Sequence, residues 1–149
     1  MNRIKLKNMQ NHITTEWKGG MLFETNSLTG TTFHINDGSK DEKHSPVTPK
    51  ALMLSSLAGC SGLDVASLID KMKLKVDDFR VETFANLTDE HPKTYSHVRV
   101  EYHFEGSELN EEKLQRCVDL SVGKYCGVME MFRQFAELKI ETIFHYKTA

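Results

Sequence analysis

From residue 96 to 104 apolar and polar residues alternate without a break. Val98, Val100, Tyr102 and Phe104 fall on one side of an extended chain, and His97, Arg99, Glu101 and His103 on the other. Successive side chains of a strand point to opposite faces, so this period of two predicts a β-strand with one face on a core. Residues 139–146 repeat the pattern, with Ile140, Thr142, Phe144 and Tyr146 opposed to Lys139, Glu141, Ile143 and His145. Shorter β-prone runs occur at 14–18, 21–24, 31–35 and 75–86. Turn signals separate them, among them Gly19-Gly20, residues 26–30, and the stretch 87–95 with His91-Pro92. The strand-rich opening, residues 4–35, reads as a meander.

Helical signals take over in two places. Thr48-Pro49 can open a helix that runs to about Met72, because Pro at the first helical position gives up an N–H that is not needed there. Its first half is apolar or small on nearly every face: Ala51, Leu52, Met53, Leu54, Leu57, Ala58, Gly59, Cys60, Gly62, Leu63. A helix apolar all round is expected to be buried all round. Gly59 and Gly62 inside it cost roughly 1 kcal/mol each relative to Ala, which close packing or a site would explain. Asn110 can cap the next helix, with Glu111 and Glu112 favourable in its first turn and Leu114, Cys117, Val118 and Ser121 on one face. Gly123 interrupts that pattern. A further short helix is expected from about Cys126, with Val128, Met131, Phe132, Phe135 and Leu138 as its apolar stripe.

The order is strands, a buried helix, two strands, two helices and a strand. Short turns between strands favour antiparallel pairing, so the fold class is α+β rather than a doubly wound sheet. The 149 residues suit one domain: N-terminal strands over 1–36, a charged loop over 37–48 and a helix–sheet core over 49–149.

Composition narrows the function classes. The net charge of −2 and the lack of a Lys/Arg run give no nucleic-acid surface. A mean hydropathy of −0.45 excludes a multi-span membrane protein. Residues 1–7 alternate and carry no apolar core for a signal peptide. The longest uncharged stretch, 51–63, is too short to span a bilayer. No membrane association is expected, and the expected location is cytoplasmic. Three cysteines, an odd number, do not suggest a secreted disulfide scaffold, so working or packed thiols in a reducing compartment are expected.

The chemistry therefore rests on Cys60, Cys117 and Cys126. Cys60 lies within the buried helix, where a free thiol can be a small core hydrophobe. Cys117 sits on an amphipathic face and reads as core. Cys126 lies at the expected start of a short helix, where backbone N–H groups lower a thiol pKa and Lys124 would add to the effect. A packed thiol is the alternative. Two distant thiols can also act as a peroxidatic and resolving pair if the fold brings their Cα atoms within about 7 Å. No Cys-x-x-Cys, His-x-x-x-His or His-Glu-x-x-His occurs, and His97 and His103 read as a solvated strand face, so no metal site is expected. Gly-x-Gly-x-x-Gly, P-loop and Gly-x-Ser-x-Gly patterns are missing too.

Three segments together resemble the OsmC/Ohr family, the osmotically induced and organic hydroperoxide resistance proteins. They are residues 48–52 through 57–65, containing Leu57-Ala58-Gly59-Cys60-Ser61-Gly62; residues 91–100, beginning His91-Pro92-Lys93-Thr94-Tyr95; and residues 118–128, containing Gly123-Lys124-Tyr125-Cys126-Gly127. The wording around both cysteines resembles the YhfA-like branch most closely. The resemblance implies an OsmC-like α+β subunit, with antiparallel sheets around long buried central helices, in an intertwined homodimer. It also implies a thiol-dependent peroxidase of the oxidative stress response. Cys60 would be the peroxidatic thiol and Cys126 the resolving thiol, with organic hydroperoxides as substrates and a lipoyl-type or other dithiol as reductant. No metal, flavin or other cofactor is implied. Two positions depart from the peroxidase pattern: Lys50 stands where those members carry Glu after the helix-opening proline, and no Arg follows Gly19-Gly20. The departures favour, as the alternative, a redox-sensing or small-molecule-binding protein of the same fold without efficient turnover. A dimer with inert thiols is a third reading.

Overall fold

The computed structural model describes residues 10–148, and the part of the opening meander over 4–9 lies outside them. The chain divides into two compact units between Leu52 and Met53. In the first, β1 (Thr15–Trp17), β2 (Phe23–Asn26) and β3 (Thr32–Ile35) form an antiparallel meander in that order. The β1–β2 turn needs positive φ at Gly19 (+100°) and Gly20 (+55°), which a residue without Cβ adopts freely. Leu22 N–H donates to Gly19 O at 3.1 Å to close it. The charged loop then returns to β3 through a bridge between Ile35 and Val47.

Helix α1 (Pro49–Lys71) begins with the Leu52 N–H bonded to Thr48 O at 3.0 Å. In the second unit β4 (Asp78–Leu87) pairs antiparallel with β5 (Tyr95–Gly106). The last strand, β6 (Glu137–Tyr146), lies parallel to β5. This is the exception to the expected antiparallel pairing. It follows from the connection: a parallel neighbour needs a long crossover, and α2 (Glu111–Leu120), a π-helical turn (Ser121–Tyr125) and α3 (Gly127–Arg133) supply it. Asn110 caps α2 by accepting from Lys113 N–H at 3.1 Å.

The alternation of β5 places Val98, Val100, Tyr102 and Phe104 in the core with Leu57 and Val65 of α1 and Leu114, Cys117, Val118, Met129 and Phe132 of the crossover. Phe104 stacks between Phe79 and Phe144, with ring centroids 4.8 and 5.9 Å away. The opposite face does not follow the expectation of uniform solvation. His103 is only 7% exposed, because Glu82, Glu101, Arg80 and His145 close around its ring.

Helix α1 also departs from its expected burial. Only Leu57, Ser61 and Val65, at i, i+4 and i+8, are buried within the chain. Leu63 is 73% exposed and Met53 42%. Packing inside the chain does not demand Gly59 and Gly62 either. A Cβ at Gly59 would meet nothing within 4 Å, and one at Gly62 would stand 3.6 Å from Val81 Cγ2, an ordinary contact. At 23 residues the helix is long and apolar enough to cross a bilayer, a property it shares with core helices. Its inner stripe, Leu57 and Val65, packs into the core with β5 and the crossover helices.

Candidate thiol site

The inner stripe of α1 carries a serine between two apolar residues, and the site is built on it. Ser61 Oγ lies 2.5 Å from the Tyr102 hydroxyl of β5 and 2.7 Å from Ser121 Oγ at the head of the π turn. Ser121 Oγ is also 3.0 Å from Asp64 Oδ2, a bond it donates. Ser61, Tyr102 and Ser121 are all fully buried. Buried polar groups need partners, and here they partner one another across a helix, a strand and a turn. The network pins α1 to the crossover one residue after Cys60 and five before Cys126.

The π turn sets where the second cysteine points. Cys126 N–H donates to Ser121 O at 2.9 Å, an i to i+5 bond. Cys126 then leaves the helical conformation (φ −78°, ψ 102°) and becomes the N-cap of α3, its sulfur accepting from Met129 N–H at 3.3 Å. The structure brings the two candidate thiols close enough that Cys60 perturbs the Cys126 thiol. Cys60 is partly buried, whereas Cys126 is 4% exposed. Cys117 points elsewhere, packed in the core 3.9 Å from Met72 Sδ. Lys50 is exposed in the first turn of α1.

The electrostatics reverse one expectation. A helix N-terminus lowers a thiol pKa, yet the Cys126 thiol is pushed up to about 11. Burial is the main cause; the Met129 N–H pulls the other way, while the neighbouring Cys60 and the Asp64 charge push further up. Lys124 gives no help here, since its ammonium lies over the Tyr125 ring, 5.3 Å from the centroid. Tyr102 is likewise raised to about 12, by burial first; the Ser61 bond opposes this, and Cys126 and Asp64 add to it. A cavity of about 260 Å³ opens beside Cys126, lined by Val122, Lys124, Tyr125, Glu130 and Arg133. Arg133 is held at its rim by Val122 O and Glu130.

Residues 40–141 match the family described as OsmC-like protein. The chain belongs to the OsmC-like family. Within it, the chain falls in the YhfA-like branch: protein YhfA of Escherichia coli K12 is 29% identical over 119 residues, covering 80% of this chain and 87% of the relative. Solved structures superpose well. A hypothetical protein from Aquifex aeolicus VF5 gives a TM-score of 0.81 at 24% identity, covering 94% of this chain and 99% of its own. The organic hydroperoxide resistance protein OhrB of Bacillus subtilis gives 0.62 at 17% identity, covering 90% and 98%. The α+β class read from the sequence is thus the OsmC-like fold.

The serine–tyrosine network of this OsmC-like chain was not among the sequence-derived candidates. Its signal was present: Ser61 and Ser121 fall on buried helical stripes and Tyr102 on the apolar face of a strand, and a polar atom at such a place requires a partner. Ser61→Ala is expected to cost roughly 1–3 kcal/mol, because it orphans the Tyr102 hydroxyl while Ser121 keeps Asp64. Adding Tyr102→Phe should then cost less than in the wild type. Urea unfolding of the two single variants and the double variant checks this, and strict additivity would show the hydroxyls are not coupled.

Proposed function

We propose that the chain is a thiol-dependent peroxidase-like protein that reduces organic hydroperoxides through Cys60 and Cys126. The observation that carries this reading is the proximity of two thiols 66 positions apart in sequence, one partly buried and one buried. Membership of the OsmC-like family, and a fold shared with a protein named for organic hydroperoxide resistance, support it.

The residues suit a division of labour. Cys60, the more accessible thiol, attacks the peroxide as a thiolate: a sulfur–oxygen bond forms, the O–O bond breaks, the alcohol leaves, and Cys60 becomes a sulfenic acid. Cys126 stays protonated at neutral pH and does not compete for peroxide. When the sulfenic acid forms beside it, the Cys126 sulfur displaces the hydroxyl, its proton leaves with the hydroxyl as water, and a Cys60–Cys126 disulfide results. An external dithiol returns the pair to thiols by exchange and is itself oxidised to a disulfide. The exposed outer face of α1, with Leu63 and Met53, supports the homodimer as the working form, since a helix apolar all round needs cover on both sides.

Asp64 favours the second reading, a redox sensor with slow turnover. It places negative charge near the pair, while the Lys124 ammonium lies over the Tyr125 ring. The deciding experiment treats the fully reduced protein with one equivalent of an organic hydroperoxide and follows intact and peptide masses. Rapid loss of two hydrogens, mapped to a Cys60–Cys126 disulfide, is expected. A protein that stays reduced, or only slowly gains oxygen, refutes the peroxidase reading.

A further inference from the structure

The outer face of the β4–β5–β6 sheet carries a second cluster that the thiol chemistry does not use. The antiparallel register sets Glu82 opposite Glu101 and Arg80 opposite His103. The parallel register sets His145 opposite Glu105, one step along the same face. His103 Nε2 thereby meets two carboxylates at once, Glu101 Oε2 at 2.8 Å and Glu82 Oε2 at 2.9 Å. Its Nδ1 faces Arg80 Nη2 at 3.3 Å and His145 Nε2 at 2.8 Å. Arg80 can only donate, so Nδ1 carries a lone pair and the single ring proton sits on Nε2, shared between two carboxylates. Arg99 holds the other oxygen of Glu101, with Nε 3.0 Å from Oε1.

Three donor atoms of the types that bind zinc thus converge on one proton: an imidazole nitrogen and two carboxylate oxygens, all within 4.8 Å of one another. We propose that this cluster is a divalent transition-metal site of the zinc class, with His103 Nε2, Glu101 Oε2 and Glu82 Oε2 as ligands. Bond lengths of about 2.0–2.2 Å in tetrahedral geometry separate ligand atoms by roughly 3.3 Å, so the two carboxylate oxygens need to back away from Nε2 by only about half an ångström. Glu82, whose side chain is 42% exposed, is the ligand free to move, and its open side admits water as the fourth ligand.

The surrounding groups suit the exchange of proton for metal. When the ion takes Nε2, the ring proton passes to Nδ1 and donates to His145 Nε2, while the His145 proton shifts to its own Nδ1. That is the outer-sphere bond a metal-bound histidine needs, and no proton is lost from the two rings. Arg80, about half exposed, gives up its contact and turns to solvent. Two carboxylates neutralise the dication. The two flanking arginines limit the affinity rather than forbid binding. Motif searches pass over such a site because its ligands come from two strands of a sheet and form no short pattern along the chain.

The test is a titration of the reduced, full-length protein with Co²⁺ at neutral pH, followed by absorption, with Zn²⁺ competition by calorimetry. One equivalent is expected to bind with visible d–d bands and without the near-ultraviolet thiolate charge-transfer band that cysteine ligation would give. Glu82→Gln, on the exposed side of the site, is expected to weaken binding at least tenfold with unchanged circular dichroism. His103→Gln should do the same. No binding, or binding with a thiolate band that Glu82→Gln leaves intact, overturns the proposal.

Discussion

Replacing Cys60 with Ser is expected to reduce hydroperoxide consumption by roughly a thousandfold or more, to the rate of the buffer with reductant. A serine hydroxyl has no accessible anion at neutral pH, and the remaining thiol nearby cannot take over. Cys126 is buried, and its thiol is held up to about 11. Cys126→Ser is expected to behave differently. It should consume one equivalent of hydroperoxide in a burst and then stall, leaving a sulfenic acid on Cys60 that a dimedone-type nucleophile traps and that excess peroxide drives to sulfinic acid. Stopped-flow peroxide loss, followed by peptide mass mapping, separates the two variants. Full turnover in Cys60→Ser would remove that residue from the mechanism.

Stability is expected to be level through neutral pH and to fall steeply in alkali. The cause is a set of raised acids in the core: Cys126, from an ordinary 9.0 to about 11, Tyr102, from 10.0 to about 12, and Cys117, which burial also pushes up. All are neutral when protonated, and all hold their proton more tightly in the folded chain than in the unfolded one. Below about pH 9 both states are protonated and the pH exerts no pull through these groups. Between 9 and 11 the unfolded chain releases the cysteine proton while the folded chain keeps it, and between 10 and 12 the same holds for the tyrosine, so the unfolded state gains with each step. The combined loss by pH 12 is on the order of 3–5 kcal/mol. Urea midpoints across this range measure it. Cys126→Ser should reduce the earlier part of the slope, where the raised Cys117 thiol still acts, and Tyr102→Phe the later part; a wild-type midpoint level to pH 11 would show that these protons are not retained on folding.

What could be read from the sequence was whatever depends on local period. The alternation over 96–104, the cap at Asn110 and the Thr48-Pro49 opening became β5, α2 and α1 with boundaries within a few residues. Misreadings arose where a distant residue decides the outcome. His103 alternates with polar neighbours, and only the cross-strand partners Glu82 and Arg80, with His145 from β6, reveal that its ring is buried. The parallel placement of β6 depends on how a crossover packs, which no period encodes. For Cys126, the helix N-terminus was visible and the depth of burial was not, and burial has the larger effect. Helix α1 erred in the other direction: its composition describes the cover that it needs, and the single chain supplies only one stripe of it. The Cys60–Cys126 juxtaposition was legible through family resemblance alone, since the 65 intervening residues carry no local signal of it.

The wide turn at Ser121–Tyr125 acts as a change of phase. Along α2 the inward positions run Leu114, Cys117, Val118, Ser121, and an unbroken α-helix would next turn residue 125 toward the core. Tyr125 is instead 51% exposed and Cys126 is inside, because one additional residue has been absorbed without lengthening the path. A helix advances about 100° per residue, so removing that residue would carry the thiol roughly a quarter of a turn off its bearing. The chemistry of residue 126 therefore depends on a count: chains that keep the same letters here but differ in length by one would aim a different side chain at Cys60.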